Sequence, residues 1–138
     1  MGSIKSYRDL IAWQKGILLV TDVYKLSSKM PETEKFGLVS QITRAAVSIP
    51  ANIAEGWGRE TPKNFLQFLR IARGSAMEVD TLLEIAHNTG MISSDEYNLT
   101  LAKVTEVSKI IQGLINSIKE KNMISEPEVE YGNNYSLN

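Results

Sequence analysis

Glu84-Ile85-Ala86-His87 is the stretch of this sequence whose residue types and spacing come nearest to a metal ligand pair. A carboxylate and an imidazole three residues apart share one face of a helix. Glu-x-x-His is the unit from which di-iron four-helix bundles build their centre, two such units joining two further glutamates. This chain has a single His, so the ligand set falls short. We expect no metal site and no cofactor. His87 then reads as a partner for a helix C-terminus or as an exposed side chain. Cys is absent, which excludes disulfides, zinc–thiolate centres and a cysteine nucleophile and agrees with a reducing cytoplasm. Walker, Rossmann and zinc motifs do not occur. No nucleophile, base and oxyanion donor can be grouped from the sequence, so the expectation is no catalytic residue and no enzyme.

The second chemistry on offer is phosphate binding. Net charge is −1 over 138 residues, which by itself gives no support. The distribution says more. Three of the 16 acids (Glu126, Glu128 and Glu130) lie in a C-terminal stretch without a base, so residues 1–121 carry 15 bases against 13 acids. Between residues 35 and 75, Lys35, Arg44, Arg59, Lys63, Arg70 and Arg73 face only Glu55 and Glu60. Repetition around a ring would multiply this local excess into a surface able to hold phosphates. Arg59, Lys63, Arg70 and Arg73 are the candidates for that role. A modest excess of this kind is also what a solvated or subunit-pairing face looks like.

Those residues must be positioned by helices. The pattern predicts an all-α, up-down-up-down antiparallel four-helix bundle, with helices over about 8–29, 36–56, 62–88 and 94–121. The first carries Leu10, Trp13, Ile17, Val20 and Tyr24 at spacings of three and four, read as its bundle-facing side and widened by Leu18, Val23, Leu26 and Met30. Trp13 reads as a core indole before an aromatic platform. Pro31 stops this helix. Thr61 and Pro62 give the third helix an N-cap and a first residue. Phe65, Leu69, Ala72, Ala76, Val79, Leu83 and Ala86 form its stripe, and Gly74 beside Ser75 and Ala76 suggests a close helix approach. Ser93 and Glu96 form a capping box for the fourth helix. Residues 122–138 read as a polar, acidic, disordered tail. No apolar run reaches the roughly 20 residues of a membrane span, and no signal peptide is apparent.

The centre of the chain is Gln41–Arg59. On a wheel of about 100° per residue, Val39, Ile42, Ala45, Ala46, Ile49 and Ile53 share one side. Val47, Pro50, Ala51 and Ala54 form a second apolar side. Only Gln41, Arg44, Ser48, Asn52 and Glu55 are polar, with Arg59 just beyond. The second side is either alanine tolerated for its helix propensity or a contact surface within the fold or between subunits. Pro50 lacks an N–H for the Ala46 carbonyl, so the helix kinks, divides in two or is braced from outside. Ser48 and Asn52 flank the weak point and are placed to brace it. Gly56 and Gly58 are expected to supply a left-handed stop.

The run Arg44-Ala45-Ala46-Val47-Ser48-Ile49-Pro50-Ala51-Asn52-Ile53-Ala54-Glu55-Gly56 resembles the signature of the 23S rRNA-intervening-sequence proteins. Tyr7-Arg8-Asp9-Leu10, Trp13-Gln14-Lys15, Phe65-Leu66 and Ala72-Arg73-Gly74-Ser75 support the likeness, which covers about residues 7–120. The resemblance implies a four-helix bundle that assembles into barrel-like homopentamers. It is also similar to the accessory variability protein of diversity-generating retroelements, which works with a reverse transcriptase and nucleic acid. The family takes its name from where some members are encoded, not from an activity. Within the signature, Arg44, Ser48, Pro50, Asn52, Glu55 and Gly56 are expected to serve the fold and the subunit contact.

Two functions follow from this reading. One is a non-enzymatic oligomer that binds RNA or DNA through a basic face, or accompanies a ribonucleoprotein. The other is a scaffold whose partner is another protein. Phosphate binding requires exposed arginines and steep salt dependence; a scaffold requires arginines paired across subunits.

Overall fold

The computed structural model describes residues 3–122. Four α-helices account for most of them: α1 (Ile11–Ser27), α2 (Leu38–Gly58), α3 (Pro62–Asn88) and α4 (Ser94–Asn122). Among the described residues there is no strand. The acidic stretch expected to be a tail lies, from residue 123 onward, outside the described residues.

The start of α1 differs from the expected residue 8. Tyr7–Asp9 form a single 3-10 turn instead. The Asp9 carboxylate accepts from the backbone N–H groups of Lys5 and Ser6 at 3.0 and 3.1 Å. This local pairing holds the chain in the turn, and Leu10, with φ −74° and ψ 125°, must extend before α1 can begin. At the other junctions the sequence signals operate as expected. The Thr61 hydroxyl accepts from Asn64 N–H at 3.2 Å, with Pro62 opening α3. Ser93 and Glu96 exchange their capping-box bonds at 3.1 and 2.9 Å.

Each helix packs on its neighbours in sequence, and α1 also packs on α4; the diagonal pairs do not meet. Across the α1–α4 seam, Lys15 meets Glu106 (3.2 Å), Asp22 meets Lys103 (2.8 Å) and Lys29 meets Glu96 (3.2 Å). The numbers rise on one helix as they fall on the other. These ion pairs are solvent-touched and each contributes at most about 1 kcal/mol. Cohesion comes from the core, where Leu19, Ile42, Ile49, Ile53, Leu66, Leu69, Leu83, Ile111 and Ile115 are fully buried. A buried side chain of this size contributes roughly 1.5–3 kcal/mol.

α2 touches both flanking helices through glycine. A Cβ on Gly16 of α1 would lie 3.4 Å from the Pro50 Cβ, so α1 runs close against the proline ring. A Cβ on Gly56 would lie 2.6 Å from the Cβ of Phe68 and 3.1 Å from Cδ1 of Phe65, so α3 approaches α2 too closely for any side chain there. Gly56 is therefore buried inside α2, not its stop. The helix continues to Gly58, and the left-handed residue is Glu60, with φ 65°. Gly74, expected at a close approach, faces open space; its neighbour Ser75 makes the contact with α2 instead.

Pro50 neither divides α2 nor ends it. The Asn52 side-chain amide donates to the Ser48 carbonyl (2.7 Å) and the Ser48 hydroxyl (2.9 Å), and that hydroxyl bonds the Ser75 hydroxyl of α3 at 2.8 Å. The brace thus falls on the Ser48 carbonyl, not on the Ala46 carbonyl freed by the proline.

Of the residues read as the bundle side of the first helix, Leu10, Val23, Leu26 and Met30 are buried, while the stripe through Ile17 and Tyr24 is corrected by the structure. Ala12, Gly16, Leu19, Val23 and Leu26 face the core. Trp13 and Val20 are half-buried, while Ile17 and Tyr24 are exposed, as is Leu18. α1 carries two apolar stripes, and the one with small residues won because only it permits close packing on Pro50.

The capping box carries a pH signature. Hydrogen bonds from the Ser93 backbone and hydroxyl, aided by Lys29, hold the Glu96 carboxyl below its ordinary value. A depressed folded value means a contribution present above the unfolded pKa and lost as pH falls through the folded one. Glu96→Gln is expected to flatten the acid limb of the stability curve, read as Tm against pH. An unchanged limb would remove Glu96 from that role.

Candidate functional site

The four phosphate candidates occupy the α2–α3 junction and the first half of α3, but their side chains do not form one free face. Arg59 caps α2, pairs with Glu55 at 3.1 Å and lies 5.2 Å from the Phe68 ring centre. Arg73 is half-buried and donates to Oε1 of Gln112 on α4 at 2.6 Å. Arg70 is half-buried, and Lys63 is exposed in the first turn of α3. A guanidinium committed to a neighbouring helix is not available to phosphate without losing that bond, so Lys63 is the most open of the four.

The signature residues divide in a similar way. Ser48 and Asn52 join the network to Ser75, while Pro50 and Gly56 set the helix seams. Glu55 pairs with Arg59 in its own helix. Arg44 is exposed.

The Glu-x-x-His unit is drawn into a structural cluster. The Tyr97 hydroxyl donates to Oε2 of Glu84. The His87 ring stacks on Tyr97 with centroids 4.5 Å apart and planes 14° apart, and its Nε2 lies 3.1 Å from the Ser94 hydroxyl. Among the described residues, no three His, Cys, Asp or Glu side chains gather as a metal site. Glu84 pushes the Tyr97 pKa above its ordinary 10. The folded state therefore holds this proton more tightly. The contribution is complete below the unfolded value and is lost as pH rises through the folded one. In an alkaline spectrophotometric titration one of the five tyrosines is expected to ionise last, and Tyr97→Phe should remove that step.

The second apolar side of α2 stays open. Val47 is 41% exposed, Ala51 is exposed and Ala54 is half-buried. Together with Trp13, Ile17 and Val20 of α1 they line a groove of about 250 Å³. Tyr7 closes one end, its ring edge-on to Trp13 at 5.3 Å, and the Arg8 guanidinium lies 5.1 Å from the indole centre. Trp13 is thus half-buried, packed against the core and also walling the groove. The sequence had flagged the α2 half of this groove; the α1 half was assigned to the core, since both stripes of α1 have helical spacing. Tyr24 and Phe36 extend the exposed apolar surface, Phe36 at 90%, while Leu18 is exposed on the side of α1 that meets α4. Phe36 lies outside every stripe, and an aromatic in a charged linker was the signal available for it.

Among the described residues no helix is long and apolar enough to cross a membrane. The fold is similar to the crystal structure of a protein of unknown function from the S23 ribosomal protein family of Bacteroides thetaiotaomicron. The TM-score is 0.72 at 26% identity, over 76% of this chain and 98% of that one. No curated protein matches the chain. Residues 8–113 match the family described as 23S rRNA-intervening sequence protein. The braced proline, the glycine seams and all of the groove but Tyr7 lie within that match, and the chain belongs to the 23S rRNA-intervening sequence protein family.

Proposed function

We propose that this protein is a non-enzymatic, cytoplasmic scaffold: an up-down-up-down four-helix bundle that assembles into a barrel-like homo-oligomer, a pentamer by family resemblance. The observation that carries the reading is the open groove between α1 and α2, walled by Trp13, Ile17, Val20, Val47 and Ala51. An apolar strip shared by two helices, beyond what the core uses, is the surface a second subunit covers. The reversed order of partners across the α1–α4 seam supports the antiparallel arrangement. The engagement of Glu84 and His87 by Tyr97 and Ser94 supports a structural use of the residues nearest to catalytic chemistry.

Nucleic-acid binding is the second reading. The excess of bases over residues 35–75 and the exposure of Arg44 and Lys63 favour it, while the internal contacts of Arg59 and Arg73 count against the face first expected. Light scattering on the native chain tests the scaffold; a mass of one 15.4 kDa chain would sink it. Anisotropy of a labelled structured RNA across about 50–200 mM salt tests the second reading, since contact with several phosphates loses orders of magnitude over that range.

A further inference from the structure

Beyond the groove, where the last turn of α1, the linker and the start of α2 meet, lies a cleft of about 610 Å³. Its size falls within the roughly 300–1,000 Å³ of small-molecule sites. Two features of its lining ask for an occupant, beside a buried serine beneath it. Ser27 is 7% exposed, and its buried hydroxyl has no hydrogen-bond partner. A buried hydroxyl left unsatisfied in a native fold is uncommon. Lys35 and Arg44 bring two cations against the single carboxylate of Glu32. Phe36 and Tyr24 offer aromatic surface 90% and 54% exposed, and neither belongs to the core. The Lys35 ammonium lies 5.7 Å from the Phe36 ring centre, so cation and ring are already adjacent.

An apolar ligand would leave the two cations without a counter-charge. A bare anion would leave the rings unused. A planar ring carrying a phosphate engages both, the ring stacking on an aromatic face and the phosphate bridging guanidinium and ammonium. We propose that this cleft binds a nucleoside phosphate unit, with Phe36 and Tyr24 stacking the base and Arg44 and Lys35 holding the phosphate. The inference rests on the nucleic-acid reading and deepens it, moving the contact from Arg59, Lys63, Arg70 and Arg73 to the junction of α1 and α2. The unit has two sources, a free nucleotide or one residue of a single strand.

The test uses the full chain. Adenosine monophosphate is titrated by calorimetry at concentrations up to millimolar, and a labelled single-stranded RNA by anisotropy, against the native chain, Ser27→Ala, Phe36→Ala and Arg44→Glu. Phe36→Ala and Arg44→Glu are each expected to weaken binding about tenfold or more. Ser27→Ala is the control: its hydroxyl is shut off from the cleft surface and has no partner in the fold to lose, so binding should hold with an unchanged or raised Tm. Native mass is measured on every variant. Binding of both probes with these losses assigns the free nucleotide as sufficient; binding of the RNA alone, with the same losses, assigns the strand. Failure of both probes to bind overturns the cleft and leaves the wider reading to the structured-RNA titration. RNA binding that ignores the cleft variants, yet is lost in Arg59→Glu with Lys63→Glu, overturns the cleft and leaves the wider reading standing. Dissociation of the assembly by Phe36→Ala or Arg44→Glu makes the cleft a subunit contact and also overturns the proposal.

Discussion

In the proposed homo-oligomer, Val47→Asp combined with Ala51→Asp is expected to leave folded monomers. Both positions sit on the outer side of α2, exposed beside the groove that Trp13, Val20 and Ala54 line. In an isolated chain the new carboxylates are solvated, and surface changes of this type alter stability by no more than about 0.5 kcal/mol. In an assembly that covers the groove, each carboxylate is taken out of water without a partner. The effective penalty is several kcal/mol per ion, repeated at every seam of a closed ring. Light scattering should therefore report the mass of one chain, while circular dichroism keeps its helical signal. Thr105→Asp, on the exposed side of α4, is the control and should leave the mass alone. A double variant that retains the full native mass would place the subunit contact elsewhere.

Gly56→Ala is expected to destabilise the fold although alanine is the better helix former. The gain in propensity is about 1 kcal/mol. Against it stands a new Cβ 2.6 Å from the Phe68 Cβ. That atom is fixed by the α3 backbone, so no rotamer change relieves the overlap, and α2 and α3 must separate. Overpacking of this type costs about 1–3 kcal/mol, and loosening this seam also disturbs the edge-on pair Trp57–Phe65, whose centroids are 5.9 Å apart. Gly16→Ala is the counterpart. Its Cβ meets Pro50 at 3.4 Å, an ordinary contact, so the propensity gain survives and the variant should be neutral or more stable. The propensity gain is common to both, so the two substitutions, identical in chemistry, are expected to differ by the overpacking cost, about 1–3 kcal/mol in denaturant unfolding. Equal effects would mean that the α2–α3 seam has slack.

The contrast shows where the sequence was legible. Stripes on α2 and α3 were unambiguous because each helix has a single bulky stripe, from Ile42 to Ile53 and from Leu69 to Leu83. The caps Thr61–Pro62 and Ser93–Glu96 were legible because they depend on neighbours within four residues. α1 was not, because Ala12-Gly16-Leu19-Val23 and Trp13-Ile17-Val20-Tyr24 both have helical spacing. Which of them turns inward depends on Pro50, which belongs to another helix. Gly56 misled for the same reason: a glycine near a helix end is the usual stop, and only the approach of Phe68 gives it a different task. The candidate bases are not gathered on one free face: the Glu55–Arg59 pair, four residues apart, is legible in charge order, whereas the bond from Arg73 to Gln112 on another helix is not. Ser27, Phe36 and Tyr24 acquire their common cleft only when the linker folds back.

The connection between α2 and α3 is three residues, Arg59 to Thr61, turned by the left-handed Glu60. The glycine–phenylalanine contact therefore closes a loop of about ten residues, an event on the scale of tens of nanoseconds. Bringing Lys15 to Glu106 must instead order most of the chain. Loop-closure entropy favours the short contact first, so the α2–α3 hairpin is expected to form early and to template the docking of α1 and α4. Gly56→Ala should then slow refolding more than it speeds unfolding, whereas a core truncation on α1, Val23→Ala, should act mainly on the unfolding arm of the chevron. The reverse pattern would put the nucleus at the α1–α4 seam.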